Sequence, residues 1–174
     1  MGEIIDGELY VFPRPDDPHA AAAFNLSLTL GNPFYRGISG PGGWVLRAEP
    51  RILFGEQTLS PDLAGWRQER FVALRKGPHL VVPDWLCEIL SPSTEQHDRI
   101  NKLPIYARHG VRHAWLVDPL LRTLEVLRLE AGAWLIVGLH QNEDKVRAEP
   151  FEAVEIDLSE IWGEAPDGEE EGEG

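Results

Sequence analysis

Three side chains in the middle of the chain could together perform hydrolytic chemistry: Asp62, Glu88 and Lys102. Carboxylate oxygens are the ligands that a hard cation such as Mg²⁺ prefers, with several waters kept around the ion. A metal-bound water beside a lysine can attack a phosphodiester, while the cation neutralises charge that develops on the phosphate. These residue types suggest a metal-dependent hydrolase, provided that the fold brings the three together.

The stretch 83–102 has to position two of these residues. Its first half, residues 84–90, is a short apolar run typical of a buried strand. Side chains alternate across a strand, so Asp84 and Glu88 share one face, and Cys87 lies on the other as a small buried hydrophobe. A buried carboxylate is costly unless it is paired, hydrogen-bonded or holding a metal. Glu88 is therefore expected to have a partner.

A helix is predicted directly after this strand. Ser93, in a tight Ser-Pro-Ser turn, is the expected N-cap. Asp98, Lys102 and Tyr106 recur every four residues, which places an acid, a base and a phenol on one helix face. A strand, a tight turn and a returning helix could bring Lys102 close to Glu88.

A Pro-Asp pair heads a second short strand, residues 61–66. Asp62 shares a strand face with Trp66, so it is again an acid on a face that looks internal. The order of helices and strands predicts an α/β (α+β) domain with a mixed sheet. Asp62 and Glu88 then stand on separate, adjacent strands with Lys102 on the following helix. The alternative is that these charges form ordinary ion pairs, for instance Glu88 with Lys102.

The first part of the chain predicts a β-hairpin and a helix. Two short extended runs flank an Asp-Gly turn at residues 6–7. The alanine- and leucine-rich segment that begins at Pro18 predicts a helix with Gly31 as its C-cap. His19, in the first turn of that helix, has no local His or Cys partner for a metal. A surface or capping role is therefore expected for His19.

Composition limits the domain organisation and the partners. The chain has 174 residues, 43% of them hydrophobic, and six tryptophans, which is enough for one core. Residues 1–162 are predicted to form a single domain, and residues 163–174 a disordered acidic tail. One cysteine excludes a disulfide framework and a cysteine zinc cluster. The absence of a signal peptide or a transmembrane run predicts a cytoplasmic protein without membrane contact.

The net charge of −13 argues against a general affinity for nucleic acid, because phosphate binding depends on lysine and arginine. Residues 67–80 are the only strongly basic stretch of the sequence, and they are either the surface that meets a polyanion or a solvated loop. No predicted helix carries the arginine and asparagine array of major-groove readout. Recognition of a specific base sequence is therefore not predicted.

The chain resembles the Uma-type putative restriction endonucleases, a bacterial group within the PD-(D/E)XK nuclease superfamily. The resemblance covers the chain from Glu3 to about Leu139, and its most specific part is EILSPST followed by Asp98 and Lys102. The motifs that carry it are IIDGEL with His19 downstream, Pro61-Asp62, PDWLCEILSPST, Asp98 with Lys102 and Tyr106, and HGVRHAWLVDP.

The resemblance implies a restriction-endonuclease-like mixed β-sheet flanked by helices. It implies Asp62 and Glu88 as ligands of Mg²⁺, with Mn²⁺ as a substitute, and Lys102 as the group that assists the attacking water. The lysine position of the superfamily, two residues after Glu88, holds Leu90 here. The Uma-type variant resembles a form in which the lysine has moved to the next helix, where Lys102 lies. Glu8 is either an auxiliary acid near the metal or a solvated turn residue.

Three functions follow as alternatives. The first is a metal-dependent endonuclease that hydrolyses nucleic-acid phosphodiester bonds, with DNA as substrate and a homodimer as the natural way to cut both strands. The second is a non-catalytic protein of the same fold that binds nucleic acid or a protein partner, which the acidic balance favours. The third is a structural module with ordinary ion pairs. A fold alone does not choose among them.

Overall fold

The computed structural model describes residues 2–14 and 16–163. In chain order the strands are β1 (Gly2–Ile5), β2 (Glu8–Val11), β3 (Trp44–Ala48), β4 (Ile52–Phe54), β5 (Gln57–Leu59), β6 (Leu63–Arg67), β7 (Trp85–Ile89), β8 (His113–Asp118), β9 (Thr123–Glu130), β10 (Ala133–Gln141), β11 (Lys145–Val146) and β12 (Ile156–Asp157). The α-helices are α1 (Asp17–Leu30), α2 (Glu95–His97) and α3 (Leu103–Arg108). Single π-helical turns, Gly31–Tyr35 and Asp98–Lys102, follow α1 and α2, and short 3₁₀ turns occur at Gln68–Arg70 and Leu158–Glu160.

A six-stranded mixed sheet, in the order β10, β9, β8, β7, β6, β3, is the centre of the domain. Strands β7 and β8 pair in parallel, and the other neighbours in this sheet pair antiparallel. The helical segment 95–108 provides the crossover that a parallel pair requires. Helices flank the sheet, which confirms the α+β mixed-sheet fold expected from the sequence.

The two faces of β7 face two different parts of the core. Trp85, Cys87 and Ile89 belong to the cluster that includes α1 and the C-terminal segment. Leu86 and Leu90 belong to the cluster that includes α3. The alternation predicted from the sequence is therefore observed. Cys87 is fully buried, and burial raises the pKa of its thiol well above the usual range.

A second, four-stranded antiparallel sheet has the order β2, β1, β5, β4. Asp6 and Gly7 form the predicted hairpin turn, both with positive φ (50° and 80°), as a type I′ turn needs. Pairing of Ile4 with Thr58 attaches the hairpin to β5. Within β1, Ile4 is exposed, whereas Glu3 and Ile5 are buried. The hairpin therefore directs Glu3 into the domain.

Both helical segments differ in detail from the sequence-based expectation. Gly31 does not end α1 in a left-handed conformation, since its φ is −64° and the helical path continues to Tyr35 as a π-turn. The residue that precedes α2 is Thr94 rather than Ser93. Pro104 stands in the first turn of α3, directly after the π-turn Asp98–Lys102. A change of hydrogen-bond pattern at this place agrees with the missing backbone N–H of proline.

Residues 164–174, which make up nearly all of the predicted acidic tail, lie outside the described residues. The segment that follows β12 packs against the core, with Leu158, Ile161 and Trp162 buried. Within residues 2–14 and 16–163, every helix is too short or too polar to span a bilayer.

Candidate active site

A cavity of about 540 Å³ opens where the end of β7, the start of β6 and the helical segment 95–108 meet. Its carboxylates outnumber its cationic side chains among the described residues. The carboxylates are those of Glu3, Asp16, Glu49, Asp62, Glu88 and Asp98, and the cationic side chains are Arg14 and Lys102. Three of these carboxylates, those of Glu3, Glu88 and Asp98, are buried, and a buried charge is costly unless it is paired, hydrogen-bonded or bound to a metal.

The first pair of predicted site residues is held by the antiparallel pairing of β6 with β7. Leu63 lies opposite Cys87, so the start of β6 adjoins the end of β7. Asp62 then accepts a hydrogen bond at Oδ2 from the backbone N–H of Ile89, at 2.7 Å. Asp62, directly before β6, and Glu88, on β7, thus lie beside each other on neighbouring interior strands, as expected from the sequence.

Lys102 is the third predicted residue, and the helical segment directs it into the cavity. Its Nζ lies 2.8 Å from Glu88 Oε2, 3.1 Å from Asp98 Oδ1 and 3.2 Å from Glu3 Oε1. Only 4% of Lys102 is exposed. Burial disfavours the ammonium, but Glu88 and the other negative neighbours raise the pKa of Lys102 well above its usual range. Lys102 is a buried cation among three carboxylates.

The carboxylate of Glu88 is only 1% exposed and is held on both oxygens. The Tyr106 hydroxyl donates to Oε1 at 2.5 Å, while Lys102 contacts Oε2. Burial raises the pKa of Glu88 well above its usual range; Lys102 opposes this rise, and the neighbouring Asp98 adds to it. Burial also raises the pKa of Tyr106, which keeps its hydroxyl protonated as a donor. One lysine does not compensate all the acids of this cavity.

His19 is a further candidate site residue, and the surface position expected from the sequence is wrong. It is 8% exposed, lines the cavity, and its Nε2 lies 3.2 Å from Asp62 Oδ1. Burial works against the imidazolium, but the hydrogen bond and charge of Asp62 raise the pKa of His19 overall. His19 therefore orients the second oxygen of Asp62. Only the motif IIDGEL with His19 downstream hinted at it in the sequence.

Glu3 is a second site residue that sequence reasoning missed. It is 2% exposed, and its Oε1 accepts from the backbone N–H of Ser60 at 2.9 Å in addition to its contact with Lys102. Its Oε2 lies 3.2 Å from His97 Nε2, and the Asn101 amide contacts the other ring nitrogen at 2.9 Å. An amide donating to Nδ1 leaves the proton on Nε2, so a neutral His97 can donate to Glu3.

Glu8, considered as an auxiliary acid, is instead exposed on the hairpin and contacts the Tyr10 hydroxyl at 3.3 Å. Adjacent residues of a strand face opposite ways, and the pairing of β1 with β5 decides which face is internal. That pairing turns Glu3 inward. The acid of the hairpin that reaches the cavity is therefore Glu3.

The basic segment lies away from the cavity along the sheet. Arg67 ends β6, whereas Asp62 precedes its start, a separation of roughly 16 Å at strand spacing. Arg70 pairs with the buried Asp84, and Arg67 lies over the Trp44 ring at 4.1 Å. Part of the positive charge of this segment is therefore used within the fold.

The donor set fits a hard divalent cation, because it consists of carboxylate oxygens with an uncompensated negative charge. Across the described residues, no group of three or more His, Cys, Asp and Glu side chains has a ready metal-binding geometry. The position among Glu3, Glu88 and Asp98 is taken by the Lys102 ammonium. Asp62 and Glu88, on adjacent strands, are the residues that would hold the cation.

The fold is an α+β domain with a mixed sheet flanked by helices, and its acidic cavity lies at the ends of two interior strands. A family model named Uma2 and described as "Putative restriction endonuclease" matches residues 2–159. The chain belongs to this family. The resemblance expected from the sequence motifs is thereby confirmed.

One solved structure supports the same fold. It is the crystal structure of a putative nuclease belonging to DUF820 from Anabaena variabilis ATCC 29413, which is similar to this chain with a TM-score of 0.74 and 22% sequence identity. The match covers 92% of this chain and 89% of that chain. At this identity the similarity shows the shared fold. No curated protein matches the sequence.

Proposed function

We propose that this protein is a metal-dependent endonuclease that hydrolyses phosphodiester bonds of DNA. The observation that carries the proposal is the convergence of Asp62, Glu88 and Lys102 in one acidic cavity, in a chain whose family is described as "Putative restriction endonuclease". These three side chains are distant in sequence and line the same cavity. The roles below are proposed from their chemistry and from the family match.

Asp62 and Glu88 would hold the cation, which would be Mg²⁺ with Mn²⁺ as a substitute. When bound, the cation supplies an activated water and neutralises charge on the phosphate. Lys102 donates hydrogen bonds that orient the attacking water. Tyr106 and His19 keep Glu88 and Asp62 in position through the hydrogen bonds at 2.5 and 3.2 Å.

The acidic balance makes the cation necessary for binding as well as for chemistry. A phosphate that approaches the cavity meets an excess of carboxylates and would be repelled. A divalent ion on Asp62 and Glu88 removes that repulsion at the point of attack. DNA binding is therefore expected to depend on metal, in addition to cleavage.

A second candidate function is favoured by the net charge of −13, which is unusual for a DNA-binding protein. In this alternative the protein is a non-catalytic member of the fold that binds nucleic acid or a protein partner. The acidic surface would then serve a basic partner. The two candidates differ in whether Asp62, Glu88 and Lys102 are needed for turnover.

Cleavage of labelled supercoiled and single-stranded DNA tests the proposal. The wild type is incubated with Mg²⁺, Mn²⁺ or EDTA and compared with Asp62→Ala, Glu88→Ala and Lys102→Ala. Lys145→Ala, at an exposed lysine on β11, is the matched control. We expect metal-dependent cutting that each of the three substitutions abolishes in folded protein, and that the control retains. Absence of cutting together with absence of Mg²⁺ and Mn²⁺ binding would refute the nuclease.

A homodimer is part of this proposal, because two symmetric sites cut both strands of a duplex most simply. Sedimentation velocity with and without a short duplex measures the assembly. If the protein is a stable monomer that only nicks supercoiled DNA, the homodimer proposal fails and the proposed hydrolysis stands.

A further inference from the structure

The ammonium of Lys102 has no donor left for a substrate in the observed arrangement. An ammonium carries three N–H donors. Lys102 Nζ lies within 2.8 to 3.2 Å of three carboxylate oxygens, from Glu88, Asp98 and Glu3. Those acids come from β7, from the preceding helical turn and from β1. Before Lys102 can donate to a water or a phosphate, at least one of its three contacts with these carboxylates has to break.

The acids that would hold the cation are equally engaged. Glu88 Oε1 accepts from Tyr106 and its Oε2 contacts Lys102. Asp62 Oδ1 contacts His19 and its Oδ2 accepts from Ile89. A cation that binds Glu88 therefore shares an oxygen with Tyr106 or with Lys102, or displaces one of them. On Oε2 the cation and the Lys102 ammonium would contact the same atom.

Sharing is unfavourable on electrostatic grounds. A Mg²⁺ ion binds oxygen at about 2.1 Å, and the ammonium lies 2.8 Å from Glu88 Oε2. Both cations on that oxygen would be within about 5 Å of each other, where like charges in a poorly solvated site repel strongly. The ion has the higher charge and draws the carboxylates closer. Displacement of Lys102 from Glu88 is therefore the favoured outcome.

We infer that Lys102 and a divalent cation compete for Glu88, so that loading of the cation frees the Lys102 ammonium to donate to the reacting water or phosphate. The inference rests on the proposed function for the metal itself. In it, Lys102 is both the internal counter-ion of the acidic cavity and a group that becomes available only when the cation has taken its place. Lysine and metal then act in sequence.

Titration of the full chain with MnCl₂ and MgCl₂ alone, without DNA, tests the competition by calorimetry. Lys102→Met removes the competing charge at similar size, Lys102→Arg retains it, and Lys145→Met controls for loss of a lysine elsewhere. We expect Lys102→Met to bind Mn²⁺ at least tenfold more tightly than the wild type. Lys102→Arg is expected to gain no affinity, and Lys145→Met to match the wild type. Equal or weaker Mn²⁺ binding by Lys102→Met would overturn the inference.

Lys102→Met leaves three buried carboxylates uncompensated, so this variant can fail to fold without metal. Its thermal unfolding in increasing MnCl₂ then reports the same affinity, because a ligand of the folded state raises the melting temperature. We expect Mn²⁺ to restore folding and to raise the melting temperature more than in the wild type. Failure of Mn²⁺ to restore the fold, or a smaller rise, would count against competition.

Release of the ammonium is measured in the wild type by nitrogen NMR of the lysine side chains. A buried, paired ammonium gives a signal protected from exchange, and Lys102→Arg assigns that signal by its loss. Saturating MgCl₂ is expected to shift the Lys102 signal and to speed its hydrogen exchange at least tenfold. An unchanged signal at saturation would show that Lys102 keeps its carboxylates.

The two proposals fail in different ways. If the wild type cuts DNA with Mg²⁺ but Lys102→Met binds metal no more tightly than the wild type, the competition inference fails and the nuclease proposal stands. If the wild type binds metal but does not cut DNA, and Lys102→Met binds metal more tightly, the nuclease proposal fails and the competition inference stands.

Discussion

A buried carboxylate lies at each end of β7, with Asp84 directly before the strand and Glu88 near its end, and the two ends differ in what surrounds them. Asp84 is 4% exposed and Glu88 is 1% exposed. Asp84 accepts from the Arg67 backbone N–H at 2.9 Å and pairs with the Arg70 guanidinium. Its charge is balanced by structural partners. Glu88 instead meets one lysine that it shares with other acids.

The comparison shows that burial of an acid does not by itself mark a reactive site. Asp84 and Glu88 have similar exposure and the same strand parity, and both contact a cationic side chain. What distinguishes the Glu88 end is an excess of carboxylates beside an open cavity. At the Glu88 end several acids share one lysine, and burial raises the pKa of Glu88 and of Asp98, whereas Asp84 has an arginine of its own.

The largest expected effect is on DNA cleavage, and it comes from a substitution at the Glu88 end of β7. Glu88→Gln keeps the size of the side chain and removes its charge, so the cation loses a ligand. We expect cleavage to fall on the order of 10³-fold, the scale for loss of one electrostatic group at a reacting centre. Initial rates on supercoiled DNA with Mg²⁺ measure it. Near wild-type rates in Glu88→Gln would place the chemistry elsewhere.

Loss of the Tyr106 hydroxyl is expected to have the next largest effect. Tyr106→Phe removes the donor to Glu88 Oε1 and leaves Glu88 itself in place. Partners that orient a metal ligand typically contribute 10- to 100-fold, so we expect a loss of about that size in metal affinity or rate. Titration of activity against MgCl₂ measures both. Tyr35→Phe, at an exposed position, serves as control, and an equal loss there would contradict the assignment.

At the other end of β7, stability should change and cleavage should not. Asp84→Asn weakens the hydrogen bond from Arg67 and removes the charge opposite Arg70. We expect the free energy of unfolding to fall by about 2 kcal/mol, as for hydrogen bonds to charged groups. Urea denaturation measures the change. Loss of Mg²⁺-dependent cleavage in folded Asp84→Asn would contradict a purely structural role for Asp84.

The smallest effect concerns the pH dependence of stability at the Asp84 end. His113 pairs with Trp85 across the parallel strands, and burial lowers its pKa below 6.5 despite the opposing charge of Glu149. The unfolded chain therefore binds this proton more readily than the folded protein. The contribution of His113 to stability is complete above pH 6.5 and declines as the pH falls below it.

His113→Gln should flatten this decline between pH 7.5 and 5.5. Urea denaturation of both proteins across that range measures the difference. A wild type that gains stability relative to His113→Gln as the pH falls would reverse the sign and refute the assignment.

Local patterns were enough to predict the elements around the site. The alternation along β7, the Asp6-Gly7 hairpin and the strand headed by Pro61 depend on neighbours a few residues away. The chain also brings Lys102 to Glu88, because a strand, a tight turn and a helix leave few other arrangements. The roles of Asp62, Glu88 and Lys102 stay predictions that the cleavage assay tests.

Glu3 and His19 escaped sequence reasoning for a physical reason. Glu3 reaches the cavity because β1 pairs with β5, and its nearest backbone partner, Ser60, is 57 positions away in the chain. His19 is buried because the start of α1 lies against Asp62. Periodicity describes which residues share a face, but it does not say which face the rest of the chain will cover.

The amino-acid sequence by itself determined the alternation of buried and exposed positions, the turns and the family, since these depend on local chemistry and on motifs. Tertiary structure alone decided that Glu3, Asp62, Glu88 and Asp98 share one cavity with Lys102 and His19. The balance of charge in a cavity is a sum over residues from several elements. It exists only after long-range strand pairing has brought those elements together.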